Sequence, residues 1–173
     1  MALVALLRGV NVGGHRTFKP AQVAKNLGAF DVVNIGAAGT YVVRKPGSEA
    51  KFRAALNKQL PFETATMICD GREILRIIDE NPFGRNPPGA DTVRFVTVLA
   101  KAAKPPAIPI AFPEEGEWLV RVTRCDRQFV FGEYRRHMKT IGYLRKLDQV
   151  FKDTGTTRNW NTIMAIGKAL TAS

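Results

Sequence analysis

The chain has 173 residues and a formal net charge of +11. A chain of this length buries about 68–70% of its unfolded surface, so stability requires neither a metal nor a disulfide. Cys69 and Cys125 form no C-x-x-C pair and have no histidines at ligand spacing, which argues against a zinc site or disulfide framework and fits a reduced cytosol. Arg8 interrupts the apolar run 2–7, which is too short for a signal peptide or a membrane span. We therefore expect a cytoplasmic protein with no membrane partner, metal or cofactor.

Strand and helix signals alternate through the first half of the chain. Apolar runs, caps and breakers predict strand 2–7, a helix from Pro20, strands 32–35 and 40–43, a helix capped by Ser48, strand 64–69 and a helix from Asp70. The order β-α-β-β-α-β-α is the ferredoxin-like arrangement with one additional helix. Asn81-Pro82-Phe83 ends the last of these helices.

The second half is expected to be less regular. Its predicted parts are a Gly/Pro/Asn-rich linker 84–91, strand 92–99, an extended or irregular connection 102–113, a hairpin of 118–123 with 129–134, and two helices. Leu144, Leu147 and Phe151 face inward on the first helix, and Trp160 lies on the second. The sequence thus predicts an α+β protein with two ferredoxin-like halves, 1–83 and 92–173, packed into one compact body.

The segment 156–162 is rich in chemistry-bearing side chains. Its seven residues carry a guanidinium, two amides, three hydroxyls and an indole. Trp160, Ile163, Met164, Gly167 and Leu170 recur at helical spacing, which predicts a helix with Thr156 or Thr157 as its N-cap. Free N–H groups at that helix end, together with Arg158, would form an anion-binding corner. Alternatively, the threonines only cap, Trp160 fills the core, and Arg158 and Asn159 bond neighbouring carbonyls.

The turn from Gly9 to His15 has the glycine spacing of a phosphate-binding loop. His15 and Arg16 replace the lysine and hydroxyl residue of that motif, and the helix begins too late, so a nucleotide triphosphatase is not predicted. A weaker interpretation makes this turn one wall of an anion pocket, formed by Arg8, Asn11, Gly13, Gly14 and His15. The alternative is a tight glycine turn in which Asn11 bonds its own backbone.

Positive charge is concentrated between residues 121 and 146, a stretch with eight basic and two acidic residues. Such a stretch is typical of polyanion binding, and also of a simple solvated face. The predicted first sheet lacks the aromatic pair of an RNA-recognition sheet, because Tyr41 is its one candidate. Any nucleic-acid contact is therefore expected on the basic hairpin and the residues after it, with these arginines as candidates: Arg121, Arg124, Arg127, Arg135 and Arg136.

Catalytic groups are sparse. His15 and His137 are distant in sequence from both cysteines, and His137 lies among cations. The acids Glu114, Glu115 and Glu117 resemble a solvated turn. The sequence therefore identifies no catalytic dyad.

Four segments together are similar to DUF1697, a bacterial family of unknown function: 6–14, 39–43, 81–83 and 156–162. The resemblance implies a cytosolic α+β protein with two ferredoxin-like halves and no established activity or cofactor. Two departures matter. Ala37-Ala38-Gly39-Thr40 replaces the common Gln-Ser-Gly-Asn, and His15 stands where many members have lysine.

The resemblance joins the two polar segments into one hypothesis. The 8–14 turn and the 156–162 segment would form a cleft with Arg8 and Arg158 as cations, Thr157 as donor and Trp160 as a wall. Its ligand would be a phosphorylated small molecule or a nucleic-acid backbone. Two alternatives remain open: an enzyme acting on a small anionic substrate in that cleft, and a structural or protein-binding module without a ligand.

Overall fold

A computed structural model of the chain describes residues 1–102, 104 and 106–172. The chain forms two compact units, one of Met1–Glu80 with Asn161–Ser173 and one of Asn81–Trp160. The boundaries predicted from the sequence, 1–83 and 92–173, remain predictions, and the observed contacts group the last helix with the first unit. None of the helices in the described part of the chain is long and apolar enough to cross a membrane.

The first unit is an antiparallel sheet with helices. Its elements are β1 (Leu3–Leu7), α1 (Pro20–Asn26), β2 (Val32–Asn34), β3 (Thr40–Val43), α2 (Glu49–Gln59), β4 (Thr66–Asp70), α3 (Gly71–Glu80) and α5 (Trp160–Thr171). The strands lie in the order β2-β3-β1-β4. Both neighbours of β1 pair with it in antiparallel register, Leu3 opposite Val43 and opposite Asp70. The β1 strand is therefore the centre of this sheet.

Buried apolar side chains and one glycine let the strands and helices of the first unit pack closely. All five residues of β1 are buried, as expected for a central strand with apolar side chains throughout. Phe52 and Leu56 of α2 are fully buried against this sheet. The α5 helix lies so close to α3 that a Cβ on Gly167 would be 2.6 Å from the Ile78 side chain. Glycine at position 167 thus permits the close approach of α5 and α3.

The second unit is built on a larger antiparallel sheet. Its elements are β5 (Thr92–Leu99), β6 (Ile110–Phe112), β7 (Val120–Asp126), β8 (Phe129–Arg135), α4 (Thr140–Phe151) and β9 (Gly155–Asn159). The strands lie in the order β6-β7-β8-β5-β9. Leu147 and Phe151 of α4 pack with Phe95, Leu99 and other apolar side chains on one face of the sheet. The amphipathic pattern expected for this helix is confirmed.

One local prediction, the start of the last helix, was wrong. The segment expected to begin the last helix is the strand β9, and the helix begins at Trp160, so Thr156 and Thr157 are strand residues and not N-caps. Pairing of β9 with β5 explains the difference, because a partner about 60 residues away overrides local helix signals. The connection 102–113, expected to be extended or irregular, contains the short strand β6. Ala103 and Pro105 of that connection lie outside the described residues.

Candidate functional site

The glycine-rich turn after β1 is held by Asn11. The Asn11 side chain donates Nδ2–H to the carbonyl oxygen of Ala37 at 2.9 Å and accepts the backbone N–H of Phe18 at 2.9 Å. Asn11 itself has a left-handed backbone conformation, φ 53°. Asparagine tolerates this conformation better than most residues do. The observed contacts show Asn11 as an anchor between this turn and the loop before β3.

This anchor does not depend on the side chains at positions 37 and 38. Asn11 bonds the main-chain carbonyl of Ala37, which any residue at that position supplies. Replacement of a common Gln-Ser by Ala37-Ala38 therefore removes side-chain polarity and leaves the loop contact intact.

The tip of the turn projects into solvent. Residues 12–16 are exposed, and the positive φ angles of Gly13 and Gly14, 56° and 77°, let the chain reverse. A Cβ on either glycine would meet nothing within 4 Å, so the space beside them is open. The backbone N–H of His15 donates to the carbonyl of Val12 at 2.9 Å. Arg8 is half-buried, and its carbonyl accepts the Thr64 hydroxyl.

The predicted corner at 156–160 lies in the second unit and is largely buried. Arg158 is only 7% exposed, and it donates Nη1–H to Thr156 Oγ1 at 2.7 Å and to the Thr157 carbonyl at 3.0 Å. Burial lowers the pKa of the Arg158 guanidinium to about 10. Thr157 shares a 2.7 Å hydrogen bond between hydroxyl groups with Thr97 of β5. These contacts organise β9 on the sheet.

Trp160 belongs to an aromatic cluster of the second unit. Its ring meets Phe83 edge to face at 5.1 Å between centroids, and Phe83 meets Phe131 in the same way at 6.2 Å. Phe131 is buried on β8. The cluster therefore joins two of the segments that resemble the family, 81–83 and 156–162, through their aromatic side chains. The turn of Arg8 and the corner of Arg158 are described in separate units, so the joined cleft stays a prediction.

The basic hairpin contains a stacked arrangement that sequence reasoning missed. The guanidinium carbons of Arg121 and Arg135 each lie 4.2 Å from the ring centroid of Trp118. Arg121 also pairs with Glu133 at 2.8 Å, and Arg135 bonds Glu117. Two of the five candidate arginines are thus engaged by carboxylates and an indole. Pairing across β7 and β8 brings these groups together, which the alternation within one strand could not indicate.

Other cations of the same stretch lie on the surface. The exposed members are Arg124, Arg127, Arg136, Lys139, Arg145 and Lys146. The last four lie on α4 or just before it, where Met138 and Ile141 are 89% and 59% exposed. We call the exposed residues Arg136–Lys139, Ile141, Gly142, Arg145 and Lys146 the α4 ridge.

The described residues offer little for catalysis. Burial raises the pKa of the Cys69 thiol to about 12 and that of Cys125 to about 11, which disfavours the reactive thiolate. No group of three or more His, Cys, Asp or Glu side chains in the described ranges could hold a metal ion. Tyr41, the single aromatic candidate of the first sheet, is fully buried and donates its hydroxyl to the Pro20 carbonyl, so it is no stacking platform.

These observations define a mixed α and β protein with two antiparallel sheets. The chain belongs to the family described as "Protein of unknown function (DUF1697)", whose model matches residues 1–117. A similar solved structure is that of the conserved bacterial protein SP0830 from Streptococcus pneumoniae, with a TM-score of 0.59 and 14% identity over 99% of this chain and 98% of that one. This likeness concerns the fold alone. No curated protein matches the chain.

Proposed function

We propose that this protein binds a phosphorylated or nucleic-acid ligand through exposed cations of its second unit. The observation that carries the proposal is the α4 ridge, which presents Arg136, Lys139, Arg145 and Lys146 to solvent. Residues 134–147 contain no acidic side chain to neutralise them. A phosphate backbone, with regularly repeated negative charge, is the complementary partner of such a surface.

The remaining candidate arginines have different roles in this proposal. Arg121 and Arg135 are held by Glu133, Glu117 and the ring of Trp118, so they maintain the hairpin and contribute less to binding. Arg124 and Arg127 lie at or next to the exposed hairpin turn, where they extend the positive surface. The ridge is therefore the main contact, and the turn is an accessory one.

The direct test is fluorescence anisotropy with labelled RNA and DNA, single- and double-stranded, across salt concentrations. The key variant combines Arg136→Ala, Lys139→Ala and Arg145→Ala. Its matched control combines Lys25→Ala, Lys51→Ala and Lys58→Ala, which removes the same charge from exposed positions of the first unit. If the ridge contacts phosphates, the slope of log affinity against log salt falls by about 0.7–0.9 for each contact removed.

The control distinguishes a local site from the effect of net charge. Equal losses in both triple variants would mean that only the overall charge matters, and the ridge would not be a site. Absence of binding even at low salt would overturn the nucleic-acid proposal and leave a small phosphorylated ligand or a purely structural role.

A second candidate ligand site is the turn of Arg8, Asn11, Gly13, Gly14 and His15. The open space beside the two glycines supports it, because a small phosphorylated molecule can approach exposed backbone there. We expect titration with pyrophosphate to move the amide resonances of residues 12–15 in NMR spectra, and Arg8→Ala to weaken the response. A parallel titration of Arg158→Ala tests the predicted joined cleft. Unchanged spectra in the wild type would remove this candidate.

We also infer that both sheets follow the ferredoxin-like order. Read from the opposite edge, the first sheet is β4-β1-β3-β2, and the second contains β9-β5-β8-β7 with β6 added at the edge. The corresponding strands have the same chain order in both series, which supports two related halves. In the second half the segment containing β6 takes the place of the first crossover helix. A crystal structure with different strand pairing would overturn this inference.

A further inference from the structure

Two aliphatic side chains stand exposed among the cations of the α4 ridge. Met138 and Ile141 are 89% and 59% exposed, whereas most large apolar side chains of the described residues are buried. Neither one contributes to the apolar core of the second unit. The cations of the ridge fit a ligand with phosphate groups, whereas Met138 and Ile141 fit a ligand that also has an apolar surface.

The ridge places an apolar and a cationic side chain side by side on α4. Ile141 and Arg145 are four residues apart on this helix, which puts them on the same side of it. Met138 lies in the turn two residues before α4, and Lys139, the residue before the helix, already has right-handed helical geometry, φ −84° and ψ −11°. His137 Nδ1 accepts the backbone N–H of Lys139 at 3.1 Å and orders the turn before α4.

Both aromatic side chains of α4, Tyr143 and Phe151, pack against apolar side chains of the second unit. The Tyr143 ring stacks on Phe112 of β6, with 6.0 Å between centroids and 8° between planes. Lys146 Nζ lies 5.1 Å from the centroid of the same ring. The thioether of Met138 and the aliphatic chain of Ile141 are therefore the groups of the α4 ridge that would make apolar contact with a ligand.

We propose that the α4 ridge selects single-stranded nucleic acid, an inference that rests on the proposed function of the same surface. An intact duplex turns its phosphates outward and keeps the faces of its bases stacked inside. A single strand exposes base faces between its phosphates, so Met138 and Ile141 cover bases while Lys139 and Arg145 bind phosphates. A methionine sulfur also makes favourable contacts with aromatic rings.

This assignment separates two contributions to binding that respond differently to salt. Phosphate contacts release counterions and weaken as salt rises, whereas apolar contacts with bases persist. The double variant Met138→Ala with Ile141→Ala should lower the affinity for a single strand about tenfold at every salt concentration, with an unchanged slope. Lys139→Ala with Arg145→Ala should flatten the slope.

The experiment compares a labelled oligothymidylate of roughly 20 nucleotides, longer than the site of a single domain, with a duplex of equal length. The matched control is Met164→Ala, which removes a methionine that is 39% exposed on α5, outside the ridge. Circular dichroism confirms that each variant is folded. We expect the single strand to bind more tightly than the duplex. Only the double variant Met138→Ala with Ile141→Ala should lose that preference.

Each other outcome overturns the inference in a distinguishable way. The basic surface would be a phosphate binder without strand selection if the duplex bound as tightly as the single strand or more tightly. The same would follow if the variant Met138→Ala with Ile141→Ala had the wild-type affinity for the single strand. Loss of single-strand affinity in Met164→Ala to the same extent would move the contact away from the ridge. Tighter binding to phosphatidylserine vesicles than to either nucleic acid would identify an anionic bilayer as the partner. Failure of both nucleic acids to bind would remove the nucleic-acid part of the proposed function as well.

Discussion

Gly132 on β8 occupies a position where no side chain can be accommodated. An added Cβ would lie 2.2 Å from the carbonyl oxygen of Arg121 and 2.6 Å from the Phe95 ring. We predict that Gly132→Ala lowers the free energy of unfolding by about 2 kcal/mol or more, because backbone and a buried ring would both have to move. Urea denaturation measures this change.

The matched control is Gly142→Ala on α4. A Cβ there meets nothing within 4 Å, and alanine favours a helix by up to about 1 kcal/mol over glycine, so this change should stabilise. A Gly132→Ala protein as stable as the wild type would show that β7 and β8 are not packed at this distance.

The two cysteines should be poorly reactive. Their pKa values of about 12 for Cys69 and about 11 for Cys125 lie above the ordinary 9.0, because burial disfavours the thiolate. At pH 8 we predict that iodoacetamide alkylates Cys125 about a hundredfold and Cys69 about a thousandfold more slowly than the urea-unfolded chain. Mass spectrometry of quenched time points gives both rates. A Cys69 as reactive as in urea would contradict its burial.

The same shifts determine how stability depends on alkaline pH. A thiol whose pKa is raised in the folded state keeps its proton while the unfolded chain loses one, so stability is fully present below pH 9 and falls above it. The raised pKa of buried Tyr41 acts in the same direction. Cys69→Ala should therefore make the decline between pH 9 and about pH 12 less steep. An unchanged slope in this variant would contradict the assignment.

At the scale of single elements, Ser48 shows how a local signal sets a helix end. Its hydroxyl accepts the backbone N–H of Lys51 at 3.1 Å, as the sequence predicted for the start of α2. We predict that Ser48→Ala lowers the free energy of unfolding by about 1 kcal/mol, because one helix N–H loses its partner. Ser48→Asp keeps an acceptor and should retain most of the stability. Equal losses in both variants, measured by thermal unfolding, would argue against capping as the cause.

Elements with clear local signals were predicted well, whereas the strand β9, whose local signals resemble a helix start, was not. The strand at 92–99 and the cap of α2 have the predicted positions, because alternation and capping operate within a few residues. The β9 strand depends on its partner β5, and nothing within 155–159 identifies that partner.

At the scale of the whole molecule, the net charge of +11 predicts a response to salt. Like charges repel within the folded state, and added ions screen them. We predict that the midpoint of thermal unfolding rises by a few °C as NaCl increases from about 10 to about 150 mM. The control variant Lys25→Ala, Lys51→Ala and Lys58→Ala carries three fewer charges and should respond less. A falling midpoint would mean that attractive ion pairs outweigh the repulsion.

The sequence by itself determined the mixed α and β class, the family, and the concentration of positive charge between 121 and 146, because composition, short motifs and local periodicity carry these properties. Only the tertiary structure decided which polar groups are exposed to solvent and can contact a ligand. Arg158 and Arg124 are equally cationic in the sequence, yet the first is buried on β9 and the second is exposed. Strand pairing placed Arg121 and Arg135 against the ring of Trp118, and the α4 ridge is left in solvent. Burial depends on contacts between residues far apart in the chain, and no local pattern encodes them.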